Sequence, residues 1–296
     1  MAGMAEHFVI PDDLARAAAR EGRDDWLAEL PVLVARIAAE WRIEVGAPFL
    51  PGGMTAWVAP ARDDAGRDLA LKVGWPHPEA AHEADGLRAW DGAGTIRLCR
   101  VSELAEATVL LLERCRPGTQ LRALPPEEHD LVIADLLRRL WIEPPPGHGF
   151  RPLSDMCDYW ANRYEGRSAA ARNCLKAPLA KEGIRLLREL PRSGGGALLL
   201  HTDLHAGNVL AAEREPWLAI DPKPYVGDPA YDVTQHIFNG VFIEEAAADA
   251  LAARMARLLD LDLNRILRWL FARAVEASPY WDGMPDLART LYSFLT

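Results

Sequence analysis

Eight residues, His201-Thr-Asp-Leu-His-Ala-Gly-Asn208, together with Asp221, constrain this chain more than any other stretch. Leu198 to Leu200 read as a short buried strand leading into it. Val209 to Ala212 and Trp217 to Ile220 read as two further strands, joined by the polar turn Glu213-Arg-Glu-Pro216. Pairing these two as a hairpin places Asn208 and Asp221 equally far from the centre of the turn. They meet at its open end, beside the loop that carries Asp203. The local sequence therefore predicts two carboxylates and an amide oxygen converging on one spot. Such hard oxygen donors suit Mg²⁺ better than zinc or copper.

The chain has 296 residues, enough to bury a sizeable core as one large domain or two lobes. A net charge of -10 makes a nucleic-acid footprint unexpected, and an acidic surface would attract a cationic small molecule. The four cysteines, Cys99, Cys115, Cys157 and Cys174, show no CxxC spacing. That argues against a zinc site or disulfide framework and for a reducing compartment. Met1 to Val9 lacks the basic and apolar regions of an export signal, and no apolar run approaches membrane-spanning length. The expectation is a cytoplasmic protein.

In chain order, residues 12 to 42 read as helix, divided at Pro31. Ile43 to Leu50, Ala56 to Ala59 and Asp68 to Gly74 read as strands, with turns at Pro51-Gly-Gly-Met-Thr55 and Arg62-Asp-Asp-Ala-Gly66. Gly52 and Gly53 would let backbone N–H groups approach an anion, although a Gly-Gly pair between strands also serves as a plain hairpin turn. Lys72 points to the opposite face from Leu71 and Val73. The helix predicted from Pro78 to Asp91 puts Glu83 on one stripe with Leu87 and Trp90. An inward glutamate wants a cation, and Lys72 is the nearest. The alternatives are a solvated lysine and a glutamate that reaches water at the helix edge.

Val109 to Leu112 is another strand, followed by the break Glu113-Arg-Cys-Arg-Pro-Gly118. Beyond it the pattern is helical: 127 to 142, 153 to 165, 168 to 190, and after the central stretch 229 to 239, 243 to 260, 262 to 278 and 284 to 295. The expected organisation is residues 1 to 114 as a strand-rich lobe, 115 to 118 as a hinge, and 119 to 296 as a helical lobe.

A Gly-Gly turn, a strand lysine, a helix glutamate, a hinge, then His-x-Asp-x-x-x-x-Asn, a strand and Asp: this order resembles the protein-kinase-like fold, an α/β (α+β) architecture with a small antiparallel N-lobe and a larger helical C-lobe. Pro222-Lys223 stands where protein kinases carry Phe-Gly, and His201-Thr202 replaces His-Arg. These departures direct the resemblance to the aminoglycoside phosphotransferases, in the branch of the streptomycin 6-phosphotransferases and hydroxyurea phosphotransferase. The phrases that carry it are Ala56-Trp-Val-Ala-Pro60, Leu87-Arg-Ala-Trp-Asp-Gly92, Leu111-Leu-Glu-Arg114, Trp217-Leu-Ala-Ile-Asp-Pro-Lys223 and Gly227-Asp-Pro-Ala-Tyr-Asp232.

The resemblance implies transfer of the γ-phosphate of ATP or GTP to a hydroxyl of a streptomycin-like antibiotic. Other acceptors in view are hydroxyurea, a viomycin-like peptide or a metabolite. Asp203 would be the base, and Asn208 and Asp221 would hold Mg²⁺. Lys72, braced by Glu83, would meet nucleotide phosphates together with backbone at Gly52 and Gly53. Backbone at Glu113 and Cys115 would meet the purine. His201, Asp228 and Asp232 would brace the loop, and Lys223 would either neutralise phosphate or pair with Asp228. Cationic-substrate contacts could come from Asp155, Asp158, Glu244, Glu245, Asp282 or Asp286, or from Tyr280-Trp-Asp282, which could equally pack in the core. The protein would act as a monomer or dimer. Two rival classes are a metal-dependent hydrolase built on His201-x-Asp203-x-His205 and an inactive nucleotide-binding module.

Overall fold

The computed structural model describes residues 8–168, 174–194, 196–243 and 247–295. The chain divides into two compact units, Met1–Gly118 and Thr119–Thr296.

In the first unit, helix α1 (Asp12–Glu21) ends at Gly22, whose φ of 65° lets its amide turn back on Ala18 and Ala19. Helix α2 (Asp24–Trp41) runs straight through Pro31. The break therefore falls at the glycine and not at the proline, as the sequence had suggested. A proline inside a helix removes one backbone hydrogen bond and crowds the carbonyl four residues back, at a cost of about 3 kcal/mol. Burial of Trp26, Leu30, Leu33, Val34, Ile37 and Trp41 along one stripe outweighs it.

The strands β1 (Ile43–Val45), β2 (Ala56–Asp63), β3 (Asp68–Gly74), β4 (Leu98–Glu103) and β5 (Thr108–Glu113) form one antiparallel sheet in the order β1-β2-β3-β5-β4. β1 is shorter than the expected Ile43–Leu50, because beyond Val45 only Gly46 and Phe49 keep backbone bonds to β2, at Pro60 and Val58. β4 was not legible in the sequence: it is an edge strand with charged and half-buried residues and no clean alternation. On β3, Leu69, Leu71 and Val73 face the core and Lys72 faces away. The core joins these residues to Leu14, Leu30, Val34 and Ile37 of the two helices and to Trp57, Val109 and Leu111 of the sheet. Helix α3 (Glu83–Trp90) is shorter than the expected Pro78–Asp91, with a separate 3₁₀ turn at Pro78–Ala80.

The second unit is mainly helical. It contains α4 (Pro126–Leu140), α5 (Leu153–Glu165), α6 (Ala177–Glu189), α7 (Pro229–Asp232), α8 (Thr234–Ile243), α9 (Ala248–Leu259), α10 (Leu263–Ala277) and α11 (Met284–Ser293). The predicted helix at 168 to 190 is α6 only from Ala177 to Glu189: Ser168 and residues 174–176 are not helical, and 169 to 173 lie outside the described residues. α10 buries Ile266, Trp269, Leu270, Phe271 and Val275. Gly183 lets α6 approach it, since a Cβ there would stand 2.5 Å from Val275. Two small antiparallel pairs carry the loop of interest: β6 (Leu198–Leu200) with β9 (Tyr225–Gly227), and β7 (Val209–Ala211) with β8 (Trp217–Ala219). β9 also went unrecognised in the sequence. Among the described residues no helix is long and apolar enough to cross a membrane, and all four cysteines are free thiols.

Candidate active site

In the first unit, Lys72 Nζ donates to both carboxylate oxygens of Glu83 at 2.7 Å. The side chains are only 14% and 5% exposed, so each charge depends on its partner. Leu87 and Trp90 lie buried on the same helical stripe as Glu83. The loop before β2 holds Gly52 at φ 87°, and a Cβ there would fall 2.6 Å from Pro11. Gly53 has no such constraint, its nearest neighbour being a backbone oxygen at 3.5 Å. At the end of β5 the Glu113 amide donates to Arg97 O at 2.8 Å. Asp68 grips the segment that follows through Arg114 and Arg116, and these two guanidinium groups hold its carboxyl below the usual range, Arg116 foremost.

In the second unit, the loop after β6 is assembled around Asp232. This fully buried carboxylate accepts the His201 amide at 3.1 Å, the Thr202 amide at 2.6 Å and the Trp141 indole at 3.0 Å. Burial pushes its pKa up to about 6, while the three donors pull the other way. His201 Nε2 lies 3.1 Å from the Ile220 carbonyl, which can only accept, so Nε2 carries the proton. Nδ1 is left to accept the Asp203 amide at 3.3 Å. Burial pushes this imidazole down to about 4, so it is neutral at pH 7. Thr202, β-branched yet at φ 58°, is held there by Asp232 and by donation from its hydroxyl to Lys223 O at 2.5 Å. His201 and Asp232 thus brace the loop.

Asp203 is held at both oxygens. Gln235 Nε2 donates to Oδ1 at 2.7 Å and Lys223 Nζ lies 3.0 Å from Oδ2. Asn208 Nδ2 donates to the Asp203 carbonyl at 2.9 Å, which leaves its Oδ1 as the atom suited to a cation. The hairpin register is one residue tighter than expected: Val209 faces Ala219, and the Ile220 amide bonds to Asn208 O at 2.9 Å. Asn208 therefore opposes Ile220 and not Asp221, because the Pro216 carbonyl already accepts from Ala212 and leaves a three-residue turn. Asp221 follows at once, at φ 56°. An amide oxygen and a carboxylate are each donors of the kind that Mg²⁺ takes.

Lys223 does not pair with Asp228. That carboxylate is taken by Arg265 and by the Trp269 indole, both at 2.6 Å, and by the Ala230 amide at 3.0 Å. Gln235 is a contact that sequence reasoning missed. Its one signal is position, three residues beyond Asp232, which is about one helical turn. Among the proposed cation contacts, Asp158 pairs with Arg192 and Asp286 with Arg289, while Glu244 and Glu245 lie outside the described residues. The Tyr280 ring is faced by two arginines of the chain itself, Arg163 at 4.4 Å and Arg167 at 4.3 Å. It therefore offers poor room for an outside guanidinium.

The hydrolase alternative fails on hydrogen bonding. His201 uses both ring nitrogens internally, and His205 Nδ1 accepts the Gly207 amide at 3.1 Å. Among the described residues no three His, Cys, Asp or Glu side chains converge as a metal cluster.

Its relatives make this chain a phosphotransferase that acts on a hydroxyl group, and its structural neighbours give it the protein-kinase-like fold. The chain belongs to the aminoglycoside/hydroxyurea antibiotic resistance kinase family, whose model matches residues 45–284. It is 35% identical to a streptomycin 6-kinase of Streptomyces griseus, covering 94% of this chain and 92% of that one. It is 36% identical to a hydroxyurea phosphotransferase of Kitasatospora aureofaciens, over 90% and 78% of the two chains. Among solved structures, the choline kinase LicA of Streptococcus pneumoniae superposes with a TM-score of 0.59 at 13% identity, covering 89% of this chain and 96% of that one. An amicoumacin kinase gives 0.57 at 13% identity, over 89% and 91% of the chains.

Proposed function

We propose that this kinase transfers the γ-phosphate of ATP or GTP to a hydroxyl group of streptomycin or a close aminoglycoside, and so confers resistance to it. The observation that carries this reading is the Asp203 carboxylate, held at 2.7 Å by Gln235 in a loop braced by buried Asp232. Asp203 accepts the proton of the attacking hydroxyl as its oxygen bonds to the γ-phosphorus. The bond from that phosphorus to the β–γ bridging oxygen breaks, and its electron pair leaves with the nucleoside diphosphate. Positioning of this kind suits a loose transition state, and base assistance contributes about 10² to 10⁴-fold. Asn208 Oδ1 and Asp221 would hold Mg²⁺, which when bound neutralises phosphate charge. Lys72, fixed by Glu83, would meet the α- and β-phosphates, the loop at Gly52 and Gly53 the phosphate oxygens, and backbone at Glu113 and Cys115 the purine.

A net charge of -10 favours a cationic acceptor and disfavours nucleic acid. The enzyme would work in the cytoplasm as a monomer or dimer. The hydroxyurea phosphotransferase relative supports hydroxyurea as a second acceptor. The test is nucleotide turnover with Mg²⁺ over streptomycin, other aminoglycosides, viomycin and hydroxyurea, with ATP and again with GTP. Streptomycin-dependent ADP or GDP release, with one phosphate added at a hydroxyl by mass and NMR, is the expected result. Turnover only with a non-aminoglycoside would overturn the acceptor.

A further inference from the structure

We propose that Lys223 is a catalytic residue whose ammonium contacts the phosphoryl group in flight, a role additional to its ion pair with Asp203. The inference rests on the reading of Asp203 as the base. Lys223 is pinned at both ends of its backbone unit: its amide donates to His201 O at 3.0 Å, and its carbonyl accepts the Thr202 hydroxyl at 2.5 Å. Its Cα is thereby locked to the loop that carries Asp203, and Nζ stands 3.0 Å from Asp203 Oδ2. A purely orienting role is already filled, because Gln235 holds the other oxygen at 2.7 Å without a charge. Nor is the lysine needed at Asp228, which has Arg265.

Distance then decides what the ammonium can reach. A hydroxyl accepted by Asp203 sits about 2.7 Å from the carboxylate. The phosphorus it attacks lies about 3 to 3.5 Å further on in a near-attack geometry. The equatorial oxygens of the transferring group therefore pass within a few ångströms of an ammonium already seated on the same carboxylate. Lysine is a compact point charge on a flexible stem and can turn from carboxylate to phosphoryl oxygen without moving its backbone. As the hydroxyl oxygen bonds to phosphorus and the bridging oxygen departs, the proton goes to Asp203. Lys223 keeps its own proton and stabilises the non-bridging oxygens.

The test uses the full chain with Mg²⁺ and ATP, reading streptomycin phosphorylation and, separately, slow ATP hydrolysis to water without acceptor. Lys223→Met is expected to lower kcat about 10²-fold with little change in the KM for streptomycin, as removal of one preorganised charge-stabilising donor does. It is also expected to slow the acceptor-free hydrolysis, and to lower further the residual rate of Asp203→Asn. Gln235→Leu, a positioning change, is expected to cost roughly tenfold alone and to add nothing to Asp203→Asn. Lys223→Arg should retain more activity than Lys223→Met, and it carries the comparison if the methionine variant does not fold. Equal losses in the arginine and methionine variants, or no further loss from Lys223→Met in the Asp203→Asn background, would overturn the proposal. If neither streptomycin nor hydroxyurea is phosphorylated, the acceptor reading fails on its own, and acceptor-free hydrolysis still tests Lys223.

Discussion

Lys72 meets Glu83 through two hydrogen bonds of 2.7 Å, the ammonium reaching both oxygens of a carboxylate that lies almost wholly out of water. Glu83→Ala takes this carboxylate away from an ammonium that is only 14% exposed. Breaking a buried pair from one side typically costs about 3 kcal/mol or more. The variant should lose that much in urea unfolding, and its KM for ATP should rise about tenfold while its KM for the acceptor stays put. An unchanged KM for ATP would remove Lys72 from nucleotide binding.

The two glycines of the loop before β2 should behave differently. Gly52 combines φ 87° with Pro11 only 2.6 Å from a would-be Cβ, and a proline ring cannot swing aside. Gly52→Ala is expected to destabilise by about 1 to 3 kcal/mol and to weaken ATP binding. Gly53→Ala meets ordinary contact at 3.5 Å and should be near neutral for folding. Thermal unfolding and nucleotide titration of the two variants give the comparison.

Asp203 and Asp221 should separate chemistry from metal-dependent binding. If Asp203 is the proposed base, acting on the acceptor, Asp203→Ala is expected to lose transfer about 10² to 10⁴-fold while ATP affinity is kept. Asp221→Ala should abolish the Mg²⁺-dependent part of ATP binding, so that chelating Mg²⁺ no longer changes its affinity. Calorimetric titration with ATP, with and without Mg²⁺, distinguishes them.

Two buried groups of the loop titrate against each other. His201, held down to about 4, contributes stability that is complete above pH 6.5 and is lost as the pH falls towards 4. Asp232, pushed up to about 6, imposes a burial cost above pH 6 that is relieved as the pH falls towards 3.8. Each is worth on the order of 3 kcal/mol, and the two nearly cancel across one window. Asp232→Asn removes only the second, so its stability should fall more steeply than the parent's between pH 6.5 and 4.5. Chemical denaturation across that range measures the slope, and a parallel pH dependence in both proteins would refute the cancellation.

Much of the site was legible because it depends on short-range periodicity. The two-residue alternation of β3 set Lys72 against Leu71 and Val73, and the helical stripe through Leu87 and Trp90 turned Glu83 inward. Their pairing needs only the one turn between strand and helix. The hairpin β7–β8 was legible for the same reason, although the register slipped by one because the turn could not be sized before Pro216 was seen to accept from Ala212. Gly22 and Pro31 show the limit of local rules: the proline was the expected breaker, but six apolar residues along α2 outweighed it.

By itself the sequence determined which face of its strand Lys72 takes and which stripe of its helix Glu83 joins, since those follow from neighbours a few residues away. It did not determine who holds Asp203. Lys223 and Gln235, the latter thirty-two residues further along, reach it only after the chain has turned at Thr202 and Asp221, both at positive φ, and again into α8. Such turns redirect side chains in ways no periodicity encodes. The same holds for Pro11 behind Gly52 and for Arg265 on Asp228. Those contacts join residues distant in the chain, and only the packed structure, in which each buried charge must find a partner, decided them.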